Sequence, residues 1–106
     1  MAALRTTVFV SQQVTSSTGL VVYTVPAGHR IIIRSINLYN ESGSTNGVTV
    51  ARDSVATMWS GTLAAAPGGR INIQPWIVLD AGQSIKVFTT AARACSVIIS
   101  GSLLFI

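Results

Sequence analysis

A chain of 106 residues with a formal net charge of +4 carries only 9% Asp, Glu, Lys and Arg, while hydrophobic residues make up 49%. One domain, residues 1–106, is the expected organisation, since this length buries a sizeable core on its own. A single cysteine, Cys95, excludes an internal disulfide and a thiolate zinc site, and apolar runs of a few residues fall short of the roughly 18 that a membrane helix needs.

In chain order, β-branched and aromatic clusters alternate with Gly, Pro, Asn and Ser, and no stretch carries a helical period. The predicted strands are Leu4 to Gln12, Leu20 to Val25, Arg30 to Asn40, Val48 to Asp53, Thr57 to Thr62, Arg70 to Leu79, Ser84 to Thr90 and Ala94 to Phe105. About eight short strands predict an all-β fold, an antiparallel two-sheet β-sandwich that is jelly-roll-like.

The turns between them have physical causes. Pro26-Ala27-Gly28-His29-Arg30-Ile31-Ile32-Ile33 and Asp80-Ala81-Gly82-Gln83-Ser84-Ile85-Lys86-Val87 are two copies of one turn-and-strand phrase. Pro26 presets φ at a first corner, and Gly28 and Gly82 supply the left-handed position after it, as in a three-residue hairpin with a bulge. Asp80, matching Pro26, is expected to cap its turn. Asn46-Gly47 predicts a tight hairpin turn, Pro67-Gly68-Gly69 closes an Ala-rich connection, and Pro75 marks either an edge strand or two strands joined at a bulge.

Alternation predicts the faces. Arg34 interrupts Ile31-Ile32-Ile33-Arg34-Ser35-Ile36 and shares a face with Ile32, Ile36 and Leu38, where a guanidinium either snorkels to an edge or bonds a buried acceptor. In the last strand Val97, Ile99, Gly101, Leu103 and Phe105 fall on one face, with Ile98, Leu104 and Ile106 on the other, so both faces need cover. The terminal Leu103-Leu104-Phe105-Ile106 is therefore expected to pack against another subunit.

Catalytic chemistry has few candidates. His29 is the one conventional base and sits in a turn where its counterpart is Gln83, while the acids Glu41, Asp53 and Asp80 are dispersed. No metal-ligand spacing or Gly-rich phosphate loop occurs, so no catalytic, cofactor or metal residue is assigned. Trp59, Trp76, Tyr23 and Tyr39 could stack on sugars or bases, but each falls within an apolar strand, and burial in core or interface is the more economical reading. Arg34, Trp59, Trp76, Leu103, Leu104, Phe105 and Ile106 make up the candidate interface.

The segment Val22-Tyr23-Thr24-Val25-Pro26-Ala27-Gly28, with Ser35-Ile36-Asn37-Leu38-Tyr39-Asn40, then Val78-Leu79-Asp80-Ala81-Gly82 and Ile99-Ser100-Gly101, resembles a pattern of small accessory structural proteins of tailed bacteriophages. The resemblance runs from Leu20 to Leu103. It implies a noncatalytic structural component of the virion that forms a symmetric homo-oligomer, a trimer favoured, and decorates or cements the capsid exterior. The expected partners are further copies and the major capsid or neck and tail proteins, with no membrane and no specific nucleic acid. The alternative is a neck or minor tail adsorption protein with a glycan- or receptor-binding role. The expected location is the virion, after synthesis in the host cytoplasm, because Arg5, Thr6 and Thr7 interrupt the apolar stretch a signal peptide would need.

Overall fold

The computed structural model describes residues 6–53, 56–66 and 68–105. Nine strands form: β1 (Thr6–Val14), β2 (Leu20–Thr24), β3 (His29–Asn40), β4 (Asn46–Arg52), β5 (Ala56–Leu63), β6 (Arg70–Ile73), β7 (Ile77–Asp80), β8 (Ser84–Thr89) and β9 (Cys95–Phe105), with a 3-10 turn at Thr90–Ala92. One sheet runs β1-β9-β3-β6, with β7 also paired to β3, and the other runs β2-β8-β4-β5. All pairings are antiparallel. The chain crosses between sheets at every step except β4 to β5 and β6 to β7, which gives the double Greek-key order of a jelly roll, as the strand pattern predicts.

Inward residues of both sheets meet in one core. Ile31, Ile33, Ile36 and Leu38 of β3, Val97 and Ile99 of β9, Val48 and Val50 of β4, and Ile85 and Val87 of β8 are all buried. Each such side chain contributes about 1.5–3 kcal/mol by leaving water, and their number explains why the fold can dispense with a staple.

The two turn phrases lie side by side. His29 N–H donates to the Pro26 carbonyl at 3.2 Å and Gln83 N–H to the Asp80 carbonyl at 3.1 Å, closing four-residue turns. Gly28 and Gly82 take φ of 76° and 86°, which a side chain would resist. Pro26 therefore occupies the first turn position, ahead of the corner expected for it. Gly82 N–H donates to the Val25 carbonyl and Val25 N–H to the Gln83 carbonyl, so each copy braces the other. Asp80 does not cap its turn: its Oδ1 accepts from Arg30 Nε at 2.6 Å across the β3–β7 pair.

Three further expectations change. Asn46 and Gly47 begin β4 rather than forming a hairpin turn, because the Asn46 side chain is buried and bonded to neighbouring loops. The segment 70–79 is both an edge and a broken strand: β6 and β7 pair with β3 on either side of the Pro75-Trp76 break, where Trp76 has a φ of 52°. Arg34 does not share a face with Ile36 and Leu38. A bulge between Ile33 and Ser35 inserts one extra residue into β3, which reverses parity, so Ile31, Ile33, Ile36 and Leu38 all point inward.

Candidate functional site

The predicted site residues separate into three groups. Arg34, at the bulge, lays its guanidinium carbon 4.4 Å from the centroid of the Trp76 ring, a cation–π contact worth about 0.5–1 kcal/mol at an exposed position. Trp76 is 59% exposed and lies in the break between β6 and β7, not within a strand. Trp59 lies on β5, half-buried against the core, with its ring so close to Gly61 that a Cβ there would meet it at 2.7 Å. Of the terminal residues, Leu103 packs on the core opposite Ile31, Leu104 is half-buried opposite Arg30, and Phe105 is 78% exposed with its ring 4.6 Å from that of His29. Ile106 lies outside the described residues.

The outer face of the β1-β9-β3-β6/β7 sheet is apolar toward the start of β3. Ile32 stands between Ser102 and Val78 in register, and Arg30 between Leu104 and Asp80. Val78 is 50% exposed, and Trp76 and Arg34 sit beside this row. Toward the other end of β3 the same face turns polar. There Asn37 and Tyr39 of β3, Arg70 and Asn72 of β6, and Ser96 and Ile98 of β9 line a depression of about 370 Å³. Sequence reasoning missed it; Tyr39 alone was weighed, because register brings together three strands distant along the chain.

The polar groups named as possible chemistry do not converge. His29 Nδ1 lies 3.0 Å from the Ala27 carbonyl oxygen within its own turn. Glu41 accepts from Gln13 and Ser96, Asp53 from the Ser84 N–H and hydroxyl, and Asp80 from Arg30. The Ser84 bonds, with the charge of Arg52 adding, hold the Asp53 carboxyl below the usual carboxylate range. Burial pushes the Cys95 thiol up to about 11, and burial also raises Tyr23, whose ring packs 5.1 Å from that of Phe9. Among the described residues no group of three or more His, Cys, Asp and Glu gathers that could hold a metal ion, and no helix is long and apolar enough to cross a membrane.

No family model and no curated protein matches the chain. Among solved structures it is similar to the Drosophila NLP-core, a structure described in terms of pentamer formation and histone binding, at 21% identity over 92% of this chain and 99% of that one, with a TM-score of 0.48. The expectation of a tailed-phage virion component, with its adsorption alternative, is corrected here: no family model or curated protein supports it, the solved structure named above is a Drosophila protein, and the turn phrases behind the resemblance serve to brace one end of a sandwich.

Proposed function

We propose that this chain is a noncatalytic, self-associating β-sandwich whose apolar outer sheet face joins copies of itself. The observation that carries the reading is the group Ile32, Val78, Leu104 and Trp76 on that outer face, where Val78 is 50% and Trp76 59% exposed. A face of this kind marks a protein contact, and the low charge content lowers the desolvation cost of closing it. The Arg30–Asp80 pair at its edge offers a polar rim. Three acids against seven basic residues suit an acidic surface as any second partner and do not suit basic histones.

Light scattering of the purified protein across a range of concentrations tests this. A discrete oligomer is expected, with the Val78→Asp variant reduced to the mass of one chain while its melting curve stays cooperative. Val78 is exposed, so that variant spares the core. A wild-type protein that stays monomeric at every concentration overturns the reading.

A further inference from the structure

We propose that the depression between β3, β6 and β9 binds a flat ring bearing an anionic group at one end and hydrogen-bond donors at the other. Its volume, about 370 Å³, falls within the range of small-ligand sites. The floor is apolar where Tyr39 and the 43% exposed Ile98 contribute to it. Arg70 is exposed, its guanidinium carbon 5.1 Å from the Tyr39 ring centroid, and a planar guanidinium beside an aromatic face presents its free N–H donors to an anion. Among the described residues the ion pair is Arg30 with Asp80, which leaves Arg70 without a carboxylate.

The charges are arranged asymmetrically. Ser96, Tyr39 and Arg70 stand opposite one another on three adjacent strands, so the outer two are separated by roughly 10 Å, twice the interstrand spacing. Ser96 donates to Glu41, which adds acceptor character at the β9 side, away from Arg70. The Asn37 amide is occupied at both ends, accepting from Asn72 and donating to Ser35. The Asn72 carbonyl remains as a further acceptor. A ring lying on Ile98 beside the Arg70–Tyr39 stack would direct its anion to Arg70 and its donor to the Ser96–Glu41 side.

Two chemical sources share that description: aromatic amino-acids of the aminobenzoate kind and nucleotides whose base carries an exocyclic amine. Calorimetric titration of the full chain with 4-aminobenzoate, AMP, benzoate and inorganic phosphate separates them. Saturable binding of 4-aminobenzoate or AMP is expected, and whichever binds identifies the source. Arg70→Ala and Tyr39→Leu should each weaken it at least 10-fold, with Lys86→Ala on the opposite sheet unchanged. Loss of the amine, benzoate against 4-aminobenzoate, should weaken binding several-fold if the aromatic acid is the source. The proposal is overturned if no ring probe saturates at millimolar concentration, if phosphate alone binds as tightly as the rings, or if Arg70→Ala binds unchanged. The site lies at the opposite end of the sheet face from Ile32 and Val78, so a monomeric result in the scattering experiment leaves this test intact.

Discussion

The Asn46 side-chain Nδ2 donates to the Asn40 side-chain Oδ1 at 3.4 Å, and both side chains are buried. From this pair bonds radiate to three loops. Asn40 Nδ2 donates to the Ser44 and Ala64 carbonyls, each at 2.8 Å, and its Oδ1 accepts from the Ser42 N–H and hydroxyl. Asn46 donates to the Arg93 carbonyl at 3.0 Å and accepts from the Thr90 N–H at 3.1 Å. The connections after β3, β5 and β8 are thereby tied together by two amides at one end of the sandwich.

Truncating such a hub leaves buried backbone groups without partners, at about 1–3 kcal/mol for each group stranded. Asn40→Ala is expected to cost about 3 kcal/mol in urea unfolding. Asn40→Asp should cost more, because it turns an acceptor toward the Ser44 and Ala64 carbonyls where a donor is required. An Asp variant as stable as the Ala variant at neutral pH would show that water satisfies these carbonyls.

Gly101 is required by the bulge opposite it. A Cβ built there would lie 1.8 Å from the Ile32 carbonyl oxygen, a backbone atom that cannot swing aside. Gly101→Ala is expected to lose about 3 kcal/mol, at the upper end of overpacking penalties, measured by thermal or chemical unfolding. By contrast Gly28→Ala meets open space and suffers only from its positive φ, so about 1 kcal/mol is expected.

How far the sequence could lead is clear from these positions. Strand alternation and the Pro and Gly punctuation are local signals, and they located every strand to within a few residues, including the break at Pro75. A bulge has no local signature: one inserted residue at Arg34 inverts which side chains of β3 face inward, and only the pairing with β9 reveals it. Asn46-Gly47 failed for a related reason. The dipeptide favours a turn in isolation, but the Asn46 amide gains more from the Arg93 carbonyl and Thr90 N–H, partners contributed from the far end of the chain. The depression beside Tyr39 was illegible because Arg70, Asn72, Ser96 and Ile98 belong to strands whose register no local pattern encodes.

The Arg30–Asp80 pair has good geometry, with Nε to Oδ1 at 2.6 Å, but its side chains are 45% and 60% exposed. Exposed pairs of this kind contribute about 0.5 kcal/mol or less, and salt screens them. Asp80→Ala is therefore expected to change stability by less than about 1 kcal/mol, with the difference shrinking as salt is raised. A larger, salt-independent loss would mean that the pair also fixes the turn that follows it.

Cys95 supplies a prediction about pH. It is fully buried at the start of β9, and burial, with the Glu41 charge adding to it and a bond from the Tyr39 backbone opposing, pushes its thiol up to about 11 from an ordinary value of 9.0. Between these two values the unfolded chain has released the proton and the folded chain still holds it. The folded state therefore binds more protons, and stability falls as pH rises. The contribution is fully present below about pH 9 and is lost progressively as pH climbs through 11. Cys95→Ala should flatten this alkaline limb of the unfolding free energy while lowering stability near neutral pH through the small cavity it leaves. The thiolate is the reactive form, so alkylation by iodoacetamide at pH 8 should be slow in the folded protein and rapid in urea. Equal rates in the two conditions would place the thiol at the surface and remove the basis for the pH effect.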